Sequence, residues 1–216
     1  MKKIAVVLSG CGHQDGTEIT EAVSTIIALT ELGVEPSYFA PDLDVPAAHH
    51  RPNSSSETRN LLNESARITR SSVRDVKELK ETDFDALIFP GGFGAALHLS
   101  NWANDGAKTK VNREVMKAII AFHKNSKPIG AMCIAPVLIA RVLGAEGVNV
   151  TIGNDEGVAA EIEKTGSHHV KCDVTDYVSD RDHKILTTPA YMYGDAKAFD
   201  VFTGIRKMIR ELVEMA

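Results

Sequence analysis

The 216-residue sequence predicts an α/β fold, a doubly wound and mostly parallel sheet with helices on both faces. Three observations carry this. Strand-like apolar runs alternate with helix-like periods along the whole chain. The runs IAVVLS (4–9), ALIF (86–89) and IGAM (129–132) are continuously apolar, as strands buried on both faces are. No linker divides the chain, so residues 1–216 read as a single domain, with a surface loop insertion near 41–56.

The elements follow in order. Strand 4–9 ends in the turn SGCG at 9–12. A helix is expected over 17–32, capped by Asp15 with Glu18 three residues on, and stopped by Gly33. Its apolar face is Ile19, Ala22, Val23 and Ile26, which turns Glu21 toward solvent. Residues 34–40 read as a strand, the three-proline stretch 41–56 as a loop and 57–67 as a short helix. Short strands and a turn are expected over 68–80. Strand 86–89 runs into PGGFG at 90–94, followed by helical stretches at 94–102 and 111–125. Strand 129–132 leads through Cys133 into a helix over 134–143, stopped by Gly144. A strand at 148–152 and a helix at 155–165 come next. A hairpin is expected around 180–183, and a final helix over 195–213. On that last helix Phe199, Phe202 and Ile205 fit either core or interface.

Composition narrows the function. Hydrophobic residues make up 44% and charged residues 25%, the balance of a packed domain. A net charge of −5 argues against nucleic acid and anionic membrane surfaces as partners. No apolar run is long enough to span a bilayer, and Met1-Lys2-Lys3 leads straight into a strand without a signal peptide. Cys11, Cys133 and Cys172 cannot all pair within one chain and fit no zinc template, so free thiols in a reducing compartment are expected. His168 and Cys172 have metal-like spacing, but nothing completes a tetrahedral set, and no metal or cofactor is assigned.

The segment KPIGAMCIAPVLIARVLG (127–144) carries the most chemistry. Cys133 stands where a buried strand turns into a helix, so the helix dipole favours its thiolate. The N–H of Ile134 is placed to bind an anion, and Pro136 suits a first helical turn. The competing reading is a small buried cysteine at a strand end. The glycines of PGGFG permit close backbone approach, so the N–H of Gly92 or of Phe93 can face Cys133 as an oxyanion donor. There is no phosphate-binding glycine fingerprint. Cys11 and His13 follow strand one and are read as further pocket residues, beside the plainer readings of a crowded turn and a solvated loop. His49, His50 and His169 are read as loop or strand-edge histidines.

Taken together, SGCG, DGTEITEA, PGGFGAALHLSNWA, GAMCIAPVL and TTPAYM make the chain resemble the ElbB family and its mitochondrial homologues. That family is a branch of the class I glutamine amidotransferase-like superfamily, beside the parkinsonism-associated deglycase and the PfpI-type proteins. The resemblance covers essentially the whole chain. It implies a flavodoxin-like sandwich with the site at the strands' C-terminal edge. It implies that Cys133 is the nucleophile, that Glu21 hydrogen-bonds it, and that Gly92 and Ile134 supply oxyanion donors. The superfamily's usual histidine partner is replaced by Gly153 in VTIGND, which argues against protease and amidotransferase chemistry. The resemblance further implies a weak, cofactor-independent glyoxalase acting on glyoxal or methylglyoxal, an association with isoprenoid biosynthesis, and a homodimer. It places such a protein in the cytoplasm of a bacterium or the mitochondrial matrix of a eukaryote. A redox-sensing cysteine and a non-catalytic interaction protein are the other two readings of the same residues.

Overall fold

The computed structural model describes residues 2–49, 51 and 57–216. In chain order the elements are β1 (Ile4–Val7), α1 (Ile19–Glu31), β2 (Pro36–Ala40), β3 (Asp44–Pro46), β4 (Thr58–Asn60) and α2 (Leu61–Thr69). Next come β5 (Val73–Asp75), β6 (Ala86–Phe89), α3 (Phe93–Leu97), α4 (Trp102–Asp105) and α5 (Arg113–Lys124). The chain continues with β7 (Ile129–Met132), α6 (Pro136–Leu143), β8 (Asn149–Val150) and α7 (Glu156–Glu163). It closes with β9 (His168–His169), β10 (Val178–Asp180), β11 (Ile185–Thr188) and α8 (Ala198–Met215).

Seven strands form one sheet in the order β10-β11-β7-β6-β1-β2-β5. All neighbours are parallel except the β10–β11 hairpin. The doubly wound α/β architecture is therefore as expected. The period-two geometry of β1 divides its side chains between two cores. Ile4, Val6 and Leu8 pack with α1 and α8, whereas Ala5 and Val7 pack with α5 and α6 on the other face. Parallel strands covered on both sides have no solvent face to mark with polar residues, hence the continuous apolar runs.

Several boundaries differ from expectation. The helix expected over 57–67 starts only at Leu61, because Thr58–Asn60 pairs antiparallel with Asp44–Pro46. The 41–56 stretch thus carries a strand, and its residues 50 and 52–56, His50 among them, lie outside the described residues. The 148–152 strand shrinks to β8, which pairs with β9 rather than joining the main sheet. The 94–102 helix is two short ones, α3 and α4. Asp15 does not cap α1. Its carboxylate accepts the Ala48 N–H at 2.7 Å and pairs with Arg59 at 3.5 Å, and Glu18 is itself the N-cap.

The buried side of α1 is also rotated from the apolar face read by periodicity. Ile19 and Val23 are exposed, while Glu21, Ala22, Ser24, Thr25, Ala28 and Leu29 are buried. The helix packs beside α8, and small residues on its buried side let the two approach closely. On α8, Ile205 is core, while Phe199 is 74% exposed.

On the opposite face Phe122 of α5 is fully buried in the larger core. Truncating it leaves a cavity that the surrounding strands cannot close. Phe122→Ala is expected to lose about 3–5 kcal/mol of unfolding free energy, measured by urea denaturation.

Candidate active site

Four strand ends converge on one spot at the C-terminal edge of the sheet: those of β1, β6, β7 and β11. Edges of this kind are where open α/β sheets hold ligands. Cys133 follows β7 directly and has φ of +57°. A non-glycine residue in this left-handed region is uncommon and costs on the order of 1–2 kcal/mol. The conformation is pinned by Cys133 N–H donating to the Thr188 carbonyl at 3.0 Å. The chain turns through Ala135, and α6 begins at Pro136, two residues later than the sequence suggested.

Glu21 sits in the first turn of α1 and is completely buried. Helical periodicity turned it to solvent, and the structure corrects this. Its Oε2 accepts the Gly91 N–H at 2.9 Å, its Oε1 accepts the Tyr191 N–H at 3.2 Å, and it shares a hydrogen bond with the Cys133 thiol. The Glu18 side chain accepts the Glu21 N–H at 2.7 Å, which fixes the start of the helix. Burial and the nearby Glu18 charge push the Glu21 carboxyl up to about 8, against the pull of the Tyr191 and Gly91 N–H groups.

Cys133 is likewise driven up, by burial first and then by the Glu21 charge. The backbone N–H groups of Gly92 and Ile134 point at the sulfur and oppose that rise. The helix-end thiolate expected from the sequence is therefore not the resting state. Removal of one proton from the Glu21–Cys133 pair leaves one proton for two groups: the Gly92 and Ile134 N–H groups favour the charge on sulfur, and those of Gly91 and Tyr191 favour it on Glu21.

The loop after β6 supplies Gly91 and Gly92 by close approach. A Cβ on Gly91 would lie 2.4 Å from the Cys133 Cβ and 2.6 Å from Glu21 Oε2. Gly92 has φ of +96°, and its Cβ would meet the Gly16 carbonyl at 2.3 Å. Phe93 departs from one of the two expectations. Its N–H is spent on the His13 carbonyl at 2.7 Å, so Gly92 alone of the two faces the sulfur.

The site opens into a cleft of about 570 Å³. His13, Glu18, Phe93, Ile134, Asp155 and Tyr191 line it together with Gly92 and Cys133. Cys11 does not. It lies behind the loop, where burial raises its thiol and Arg59, Glu64, Arg67 and Asp15 are the charges acting on it. Cys172 is buried and its thiol is raised to about 11, mainly by desolvation. Gly153 has φ of +89°, and a Cβ there would meet the Tyr193 ring at 2.9 Å. Tyr193, whose hydroxyl donates to the Cys172 carbonyl at 2.9 Å, leaves no room for a side chain at that position. Sequence reading missed Tyr191, Gly91 and Tyr193. Their roles are carried by backbone N–H groups and by ring volume; the available signals were PGGFG for Gly91 and TTPAYM for Tyr191, while Tyr193 lies just beyond that segment. Among the described residues no group of three or more His, Cys, Asp or Glu side chains is placed to hold a metal ion, and no helix is long and apolar enough to cross a membrane.

Residues 2–199 match the DJ-1/PfpI family. The chain belongs to that family. It is 43% identical over 227 residues to the human mitochondrial glutamine amidotransferase-like class 1 domain-containing protein 3, covering 99% of this chain and 83% of that one. The rat mitochondrial ES1 protein homologue is 41% identical, with 99% and 84% covered. A crystal structure of an isoprenoid biosynthesis protein with amidotransferase-like domain from Ehrlichia chaffeensis superposes with a TM-score of 0.90 at 36% identity, over 99% of this chain and all of the other. A DJ-1 superfamily protein from Agrobacterium tumefaciens shares the fold at 17% identity, with a TM-score of 0.59 over 100% and 92% of the two chains. The class I glutamine amidotransferase-like, flavodoxin-like fold of this DJ-1/PfpI member thus agrees with its relatives.

The buried Glu21 has a stability signature. Its folded value of about 8 lies above its ordinary 4.5, so the native state holds a proton that the unfolded chain releases between these pH values. Its contribution to stability is present below about pH 4.5 and is lost as the pH rises through 8. Glu21→Gln carries no such proton. The variant's melting temperature is expected to fall less than the wild type's between pH 5 and 8, in thermal scans of both proteins; equal falls contradict a neutral Glu21.

Proposed function

We propose that this DJ-1/PfpI protein is a cofactor-independent glyoxalase, converting glyoxal or methylglyoxal to the hydroxy acid through Cys133. The observation that supports this best is the carboxyl of Glu21 buried against Cys133, beside the Gly92 and Ile134 N–H groups and with no base at Gly153. Amide hydrolysis needs a group that delivers a proton to a leaving amine. The glyoxalase reaction has no leaving group other than the thiol itself, so one proton carrier is enough.

The steps balance without an oxidant or reductant. The sulfur of the singly deprotonated pair attacks the aldehyde carbon, and Glu21 gives its proton to the resulting oxygen. This forms a hemithioacetal whose developing oxyanion the Gly92 and Ile134 N–H groups stabilise. The Glu21 carboxylate then takes the hydrogen of that carbon as a proton and returns it to the neighbouring carbon through an enediol. The product is a thioester of a 2-hydroxy acid. Water attacks the thioester, the C–S bond breaks, and the thiol regains its proton. The sum is aldehyde plus water to hydroxy acid: glycolate from glyoxal, lactate from methylglyoxal.

A peroxide-sensing role draws less support. Such a sensor works through an acidic, accessible thiolate, whereas burial raises the Cys133 thiol and the sulfur is only 8% exposed as a residue.

Two variants test the reading by glycolate and lactate formation without glutathione or added metal. Cys133→Ala is expected to abolish turnover. Glu21→Gln is expected to lower kcat by about 10²–10⁴, the usual contribution of a positioned proton-transfer group. Activity retained by Cys133→Ala overturns the proposal. The wild-type rate should rise with pH toward the value of about 8 at which the Glu21–Cys133 pair loses its first proton.

A further inference from the structure

The cleft above Cys133, at about 570 Å³, is much larger than a two-carbon aldehyde requires. Clefts of this size bury drug-sized ligands. Phe93, Ile134, Val158 and Met192 give it an apolar wall, and Phe93 is 52% exposed at the rim. Among the described residues the acidic and basic side chains of the lining are Glu18, Asp155 and His13, with neither lysine nor arginine. Both carboxylates are held in place. Glu18 accepts the Glu21 N–H at 2.7 Å, and Asp155 accepts the Val158 N–H at 2.9 Å at the start of α7. Two fixed negative charges beside the path to the sulfur repel an incoming anion. At contact distance in a water-like medium each is worth about a five-fold change in occupancy.

We propose that the cleft takes uncharged or cationic carbonyl compounds bearing an apolar substituent, and excludes oxo acids. The inference rests on the reading of Cys133 as the group that attacks a 2-oxoaldehyde. An alkyl or aryl group on the carbon remote from sulfur lies along Phe93, Val158 and Met192 and loses its contact with water there. A carboxylate in the same place meets Glu18 and Asp155 and finds no lysine or arginine among the described lining residues to offset its desolvation.

Two measurements on the full chain test this. In the first, iodoacetamide and iodoacetate alkylate the protein at low salt, and each cysteine's modification is followed by peptide mass spectrometry. Rates are taken relative to 2-mercaptoethanol. Cys133 is expected to discriminate against iodoacetate by about five-fold or more, and to do so less in about 0.5 M salt. Asp155→Asn should weaken the discrimination while keeping the α7 cap, since Asn caps as well as Asp. Cys11, with two arginines and two carboxylates acting on it, serves as the internal comparison. Equal normalised rates for the two reagents at Cys133 overturn the charge selectivity.

In the second, kcat/KM is compared for phenylglyoxal, methylglyoxal, glyoxal and 4,5-dioxopentanoate, a 2-oxoaldehyde that carries a carboxylate, and is expected to fall in that order. Glyoxal turned over as well as phenylglyoxal, or 4,5-dioxopentanoate as well as methylglyoxal, overturns the proposed ligand class. If no aldehyde turns over while Cys133 still excludes iodoacetate, the glyoxalase reading fails and the charge selectivity stands.

Discussion

The active site depends on one unfavourable burial. A carboxyl with no exposed surface is placed against a thiol with no cation beside it. Burying an ionised carboxylate alone is expensive, so the group takes the alternative open to it and keeps its proton. Glu21 remains neutral because burial and the nearby Glu18 charge outweigh the Gly91 and Tyr191 N–H groups, which donate to its oxygens and pull the other way. The proton so retained is the one that the proposed Cys133 chemistry uses. A carboxylate at its ordinary value would be ionised at neutral pH and would raise the thiol further without giving it a proton.

Holding that pair requires backbone at unusually short range. The loop after β6 reaches the pair only because residues 91 and 92 have no Cβ, and Gly94 stands in the same relation to Gly16 and Ser9. Cys133 is itself forced into a left-handed conformation, which directs its Sγ toward Gly92 and Ile134 rather than into the core. Strain of this kind persists only where the surroundings over-determine it. Here the Thr188 carbonyl on one side and the α6 turn on the other supply the constraint. The hairpin strand β11 therefore serves the site twice, through Thr188 on the cysteine and through the Pro189-Ala190-Tyr191 turn on the glutamate.

Gly153 stands where the superfamily resemblance implies a histidine partner for the cysteine. The absence is built in rather than incidental. Gly153 has a positive φ, and the Tyr193 ring occupies the space where a side chain would project. A single substitution there would meet both the ring and a strained backbone. The proposed chemistry is thus built on one carboxyl and two N–H donors.

The sequence by itself determined the sheet-and-helix alternation, because a parallel strand covered on both faces must be apolar throughout and that pattern needs no partner to be read. It determined Cys133 as the most chemically informative residue, since a strand running through a cysteine into Pro136 is a local pattern. Glu21 was legible only through the resemblance to a known family. Its own helix reads as amphipathic with Glu21 outside, and it is the packing of α1 beside α8 that turns small residues and Glu21 inward. Tertiary structure alone decided that Phe93 spends its N–H on His13, that Cys11 stands behind the cleft, and that Tyr193 fills the space at Gly153. Each of these is a contact between segments far apart in the chain. Sequence periodicity reports which side of an element is apolar, and the packing of other elements determines which side is buried and which polar groups meet there.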